Sequence, residues 1–358
     1  MTQLSEPLDF SRGPSWRNRL ALAPLTNTQS NPDGSLSQLE IDWLLARARH
    51  GFGMVMTAAA YVAPAGKAWQ GQLGVSSDAH LAGLEALTTG LREAGAASIV
   101  QLHHGGLRAN PVASGEPLVA PWDDEATGAR ALTTDEVWAV IEDFTAAAVR
   151  AERAGFDGVQ LHGAHGYLLC QFLSRSNTRD DGWGGDLDGR ARVLRETIAA
   201  IRRATGTDFH VGLRLSAERF ELATTEMVQL AAELMAEGTL DHLDMSLWDV
   251  SVRPEGADDD APTLMSRFVA LPRGTTRLGV AGKIASGPSA VAAVAAGADF
   301  VDIGRTAVAD HRIAERILAD ADHPGPSFPV TRQDLRDNHV GEPFIEYFAK
   351  GWPQLVAD

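Results

Sequence analysis

The feature that most constrains this chain is an alternation. From near residue 20 to near residue 320, short and continuously apolar runs take turns with amphipathic stretches. The runs span 20–25, 54–60, 97–104, 157–163, 210–216, 242–248, 277–284 and 300–306. A strand with one wet face alternates apolar and polar residues, whereas an unbroken apolar run fits a parallel strand covered on both faces. Between the runs, the spacing predicts helices over 37–50, 78–94, 133–154, 188–204, 224–236, 286–296 and 310–319, with a weaker one over 262–271. Asp78 and Thr134 are candidate N-caps, and Gly51, Gly95, Gly155 and Gly297 follow the last helical residues.

Repeated strand–helix units of this kind predict an α/β fold, a single (β/α)8 TIM barrel. The runner-up is a doubly wound sheet. Its glycine fingerprint between first strand and first helix is missing, because LAPLTNTQSNPDG stands there instead. At ~150 residues per domain, 358 residues would suggest two domains, yet no linker rich in Pro, Gly and Ser divides them. The reading is therefore one domain over 1–358, with 323–358 a C-terminal tail packing on the barrel or on a neighbouring subunit. Lys and Arg number 31 against 47 Asp and Glu, a net charge of −16 that argues against nucleic acid or an anionic membrane and leaves a small-molecule substrate. Cys170 is the single cysteine, which excludes an internal disulfide and any cysteine-ligated zinc or iron–sulfur cluster. With no leader-like segment and no apolar run of ~18 residues, the expected location is cytoplasmic.

Barrel enzymes carry their chemistry at the C-terminal ends of the strands. Thr26, Gln101, His103, His104, His162, His165, Arg214, Trp248, Lys283 and Arg305 fall at those ends. His162, His165 and Tyr167 sit in GVQLHGAHGYLLCQFLSRSNTRDDGWGG, residues 158–185. Two histidines could serve a metal-dependent barrel hydrolase, but a third convergent ligand is lacking, and no metal is expected. Lys283 keeps a Schiff-base aldolase open, without a carboxylate to support it.

The run HGAHGY (162–167), followed by Ser174, Asn177, Arg179 and Gly184-Gly185, resembles the old yellow enzyme family of FMN-dependent ene-reductases. The likeness extends in order through NRLALAPLT, QLHHGG, GLRLS, AGKIASG and DIGRTAVAD. It implies a single barrel with non-covalent FMN and with NADPH or NADH as reductant. The backbone of Pro24, Leu25 and Ala58 would line the flavin, with Thr26 at its O4 and Gln101 on the pyrimidine edge. His162 and Arg214 would border the ring, Arg214 beside N1 and O2. Gly282, Gly304 and Arg305 would surround the phosphate, which Lys283 could neutralise. His162 and His165 would both donate to a substrate carbonyl oxygen while hydride reaches the β-carbon, and Tyr167 would give the α-proton.

YFAKGWPQ (347–354) resembles the C-terminal end of one branch of the family, where an arginine before Gly-Trp reaches a neighbouring subunit's active site. Lys350 stands in its place, implying a homodimer or tetramer with Lys350 near substrate. The sequence departs from the family in SRSNTR, which is short and lacks a proline, in Gly105-Gly106-Leu107, which replaces a glycine–arginine step, and in Lys283, which stands where many members have an apolar residue. The scaffold also leaves flavin-dependent amine oxidation or demethylation open, as well as a non-enzymatic flavin carrier.

Overall fold

Eight parallel strands close on themselves in the computed structural model: β1 (Leu20–Leu22), β2 (Met54–Tyr61), β3 (Ala97–His103), β4 (Gly158–Gly163), β5 (His210–Ser216), β6 (His242–Ser246), β7 (Arg277–Ala281) and β8 (Phe300–Ile303). Each pairs with its neighbours in the chain, and β8 returns to β1 with Leu20 opposite Val301. The structure describes residues 3–357; Met1, Thr2 and Asp358, which the one-domain reading includes, lie outside the described residues. The outer layer is α1 (Gln38–Arg49), α2 (Leu81–Glu93), α3 (Thr134–Arg153), α4 (Leu187–Ala204), α5 (Thr224–Ala236), α6 (Leu264–Val269), α7 (Gly287–Ala295) and α8 (Ile313–Ala319). This is the (β/α)8 barrel that the apolar runs predict.

Two local expectations need correction. The caps lie one residue earlier than expected, Ser77 at the short helical turn (Asp78–His80) that leads into α2 and Thr133 at α3. Thr133 accepts from the Glu136 amide while Glu136 accepts from the Thr133 amide, a reciprocal box that satisfies two donors at the start of α3. Five strands, β1, β3, β6, β7 and β8, also end before their apolar runs do. Residues beyond the ladders, such as Leu247 and Ile284, stay apolar because they are buried in the core as loop residues.

A closed barrel has an inside, and this one is filled from its N-terminal end. Leu8, Trp16, Met54, Met56, Ala97, Ile99 and Phe300 form a cluster of their own, with Phe10 against it. Backbone bonds between Leu8 and Trp16 tie the N-terminal segment into a plug. The Trp16 ring meets Phe300 edge-on at 4.9 Å and Phe10 at 4.7 Å. The opposite rim, where the strands end, is left for chemistry.

After α8 the chain forms a last helix, α9 (Glu342–Gly351), whose Phe344, Ile345 and Phe348 are buried. Phe344 stacks edge-on against Trp43 of α1 at 5.5 Å. Among the described residues no helix is long and apolar enough to cross a membrane. Trp16 is 1% exposed, so Trp16→Ala is expected to cost about 3–5 kcal/mol through an unfilled cavity. Urea unfolding measures this, and a loss below about 1 kcal/mol would show that the plug closes over the gap.

Candidate functional site

The rim begins with the segment after β1. Pro24, Leu25 and Thr26 are half-buried just past Leu22. What shapes their loop is Glu40 of α1, a fully buried carboxyl that accepts from Asn27 Nδ2 at 2.9 Å and from the Ser30 hydroxyl. Burial raises its pKa, offset by those two donors. In the next strand the ladder between β2 and β3 shifts register between Met56 and Ala59, a bulge of the kind found beside active sites. Thr57 repairs the break: its hydroxyl donates to the Ala58 carbonyl and accepts from the Gln101 amide at 3.3 Å. Ala58 and Gln101 are therefore held together at one end of the barrel. Gln101 Nε2 donates to Gln160 Oε1, and among the described residues no donor reaches Gln101 Oε1.

His103, His162, His165 and Tyr167 converge. The His103 ring lies 4.4 Å from Tyr167 and 5.4 Å from His162, and His162 lies 5.1 Å from Tyr167. Burial holds His103 and His162 well below the usual imidazole range and His165 down to about 3, so all three are neutral. A neutral imidazole has one donor and one acceptor, and its neighbours decide which is which. Gln72 accepts from the Ala68 amide and donates to the Ala59 carbonyl and to His103 Nδ1. His103 therefore carries its hydrogen on Nε2, a buried donor with no partner. His103 was visible at a strand end, but its donor role was not; that depends on Gln72, far away in sequence.

His165 corrects the expectation of two histidine donors. Its Nδ1 bonds His162 Nε2 at 2.8 Å and its Nε2 bonds Ser246 Oγ at 2.8 Å, so both ring nitrogens are engaged. Its amide donates to Ser216 Oγ, and its φ of 62° places it in the left-handed region. Such a conformation in a non-glycine residue is kept only where its surroundings over-determine it. His165 orients His162, whose Nδ1 has no partner. Arg108 also bonds the His165 carbonyl, and its guanidinium lies 4.6 Å over the Tyr167 ring. An arginine thus reaches this site two residues after the altered Gly105-Gly106 step. Burial raises the Tyr167 pKa, Arg108 lowers it, and Tyr347 of α9 raises it again. Burial pushes the Cys170 thiol up to about 12, leaving it inert.

Arg214 at the end of β5 is almost fully buried, with Nε 2.9 Å from Asp244 Oδ2. Asp302 lies beside Asp244, where burial and that carboxylate push its own pKa well above the usual range. At the end of β7, Gly282 has φ 156°, and a Cβ there would come within 2.8 Å of the Asp249 amide, so close packing alone requires glycine. Lys283, expected at the phosphate, has a largely exposed ammonium that pairs with Asp249 at 3.0 Å. Gly304 and the half-buried Arg305 lie at the exit of β8, with the Arg305 guanidinium 5.9 Å from the Trp352 ring. Lys350 is exposed. Among the described residues no group of three His, Cys, Asp or Glu side chains could hold a metal ion.

The sequence profile of the NADH:flavin oxidoreductase / NADH oxidase family matches residues 3–322. A probable NADH-dependent flavin oxidoreductase of Bacillus subtilis, YqiG, is 36% identical over 319 residues, covering 86% of this chain and 85% of that protein. An NADH:acrylate oxidoreductase of Vibrio harveyi is 33% identical over 341 residues, 89% of this chain but only 33% of that longer protein. Morphinone reductase in complex with tetrahydroNAD superimposes with a TM-score of 0.77 at 27% identity, covering 94% of both chains.

The neutral histidines carry a stability signature. Below the ordinary value of 6.5 the unfolded chain protonates them, while the fold resists protonation down to about 4 for His104 and about 3 for His165. Stability is therefore complete above about pH 6.5 and falls as pH drops toward those values, by about 1.4 kcal/mol per pH unit for each histidine. Urea midpoints between about pH 7 and about pH 4 measure it, and a flat profile would mean that the imidazoles are charged inside the fold.

Proposed function

The chain belongs to the NADH:flavin oxidoreductase / NADH oxidase family, and from that premise we propose that it is an FMN-dependent, NAD(P)H-driven reductase of activated alkenes such as α,β-unsaturated carbonyl compounds. The observation that carries this reading is a pair of neutral imidazoles with unpartnered nitrogens, His162 Nδ1 and His103 Nε2, gathered round the phenol of Tyr167.

The residues fit non-covalent FMN. Gln101 keeps an unpartnered amide oxygen, which suits a ring edge that presents donor and acceptor side by side. Arg214, with its charge shared with Asp244, would sit where a reduced flavin gathers negative charge. Pro24, Leu25, Thr26 and Ala58 would line the ring. Gly304 and Arg305 would meet the phosphate, with Gly282 beside them and Lys283 free to join only by leaving Asp249. Bound there, FMN supplies hydride transfer, from NAD(P)H to the β-carbon of the alkene.

The chain's own residues do the rest. His162 donates from Nδ1 to the substrate carbonyl oxygen and draws electron density from the conjugated bond. His165, fixed between Ser246 and Ser216, sends its Nδ1 hydrogen to His162 Nε2 and so selects the donor tautomer. His103 offers a second N–H from Nε2. Tyr167, kept protonated by burial, holds the proton destined for the α-carbon. The expected assembly is a cytoplasmic homodimer or tetramer. The assembly rests on the likeness of residues 347–354 to the C-terminal end of one branch of the family, with Lys350 exposed near the end of α9, and the location on the single cysteine.

Two measurements test this reading. The purified protein is expected to be yellow, to bleach with NAD(P)H and to recover with cyclohexenone; a colourless protein that takes up no FMN overturns the function. In stopped-flow work, His162→Ala should slow recovery by about 2–4 kcal/mol in barrier, with His165→Ala costing less and bleaching little changed. Equal small losses in both half-reactions would make His162 structural. Removal of residues 349–358 should weaken assembly and raise the enone KM; a monomer of unchanged activity would remove the role of the tail.

A further inference from the structure

A line of hydrogen bonds crosses the barrel interior from Gln101 at the rim to the plugged end. Gln101 Nε2 donates to Gln160 Oε1 at 2.7 Å, and Gln160 Nε2 lies 2.9 Å from His242 Nε2. His242 Nδ1 lies 2.6 Å from His210 Nε2, and His210 Nδ1 lies 3.3 Å from the carbonyl oxygen of Arg12. All four side chains are buried. Space for the His242 ring comes from Gly212, where a Cβ would stand 1.9 Å from it. Phe10 packs on His210 at 4.8 Å and Phe300 on His242 at 5.7 Å, so each imidazole is seated in the aromatic plug.

The direction of every bond follows from the last one. A carbonyl oxygen only accepts, so His210 carries its hydrogen on Nδ1. Burial holds His210 down to about 4 and His242 well below the usual range, so each is neutral and has one hydrogen. His210 Nε2 must then accept, His242 Nδ1 donate and His242 Nε2 accept. Of the two ends of the Gln160 amide, only the nitrogen can satisfy His242, which turns its oxygen to Gln101.

We propose that His210, His242 and Gln160 are positioning residues, anchored on the Arg12 carbonyl, that fix which way round the Gln101 amide stands. The two ends of an amide are nearly equal in shape, and without this line Gln101 can turn over. With it, Gln101 keeps its oxygen and one N–H in a set order for whatever binds at the rim. The further step to flavin rests on the reading above that Gln101 meets the FMN ring.

The experiment has a flavin arm and a flavin-free arm. His242→Leu breaks the line, while His242→Gln restores one acceptor and one donor. The leucine variant is expected to bind FMN about tenfold more weakly with shifted visible flavin bands, and the glutamine variant to recover both. In the unsubstituted protein, long-range proton–nitrogen NMR of 15N-labelled histidines should show hydrogen on Nδ1 of both His210 and His242, with or without FMN. Hydrogen on Nε2 of either one overturns the proposal. So does a His242→Leu protein with native circular dichroism, unchanged FMN affinity and unchanged bands. Should His242→Leu fail to fold, the tautomers decide. A protein that never binds FMN sinks the flavin reading, while the tautomers still settle the direction of the line.

Discussion

A polar group enclosed by the packed side chains of a closed barrel is costly unless it finds a hydrogen-bond partner. That constraint organises the molecule from plug to rim. Apolar and aromatic side chains fill the lower end, and above them the polar groups occur in matched sets. Arg214, Asp244 and Asp302 form one: a cation, an anion and a carboxyl that burial and its neighbour keep protonated. The Asp244 carboxylate beside the Arg214 guanidinium is what allows it to be held at the end of a core strand. Gln72 and His103 form another set, and the Gln101 line a third. His162 Nδ1 and His103 Nε2, at the rim, are buried polar atoms left without a protein partner. They are what the protein has to offer a ligand.

The same constraint separates residues that touch a ligand from residues that hold others in place. His165 has the more conspicuous place in the sequence, between two glycine-flanked motifs. Its ring is used up by His162 and Ser246. His103, less conspicuous beside His104, is the one with a free donor. His104 instead accepts the Gly106 amide and packs under Gly66. Exposure follows the same division. Trp248, 48% exposed with φ 61°, leans over His165 at 5.9 Å and is stacked by Arg219.

Much of this was legible in the sequence, and the physical reasons are specific. Buried parallel strands leave unbroken apolar runs, so all eight were visible, and the polar residues that close them marked the rim. Strand ends were less legible because Leu247 and Ile284 are buried without belonging to a ladder. The pairing of Lys283 with Asp249 had no local signal, because Asp249 comes from a different loop. The tautomers of the histidines had no local signal at all. They depend on Gln72, Ser246 and the Arg12 carbonyl, each brought in by topology from elsewhere in the chain.

The last helix is stitched to the first loop. Thr28 donates to the Pro343 carbonyl, the Gly341 amide donates to Gln29, and Arg47 reaches the Asn338 carbonyl. Pro24, Leu25 and Thr26 sit at the start of that loop. On the ribosome, therefore, all eight strands emerge before the segment that braces this wall of the rim. That wall is completed last in synthesis, by a segment that follows every strand of the barrel.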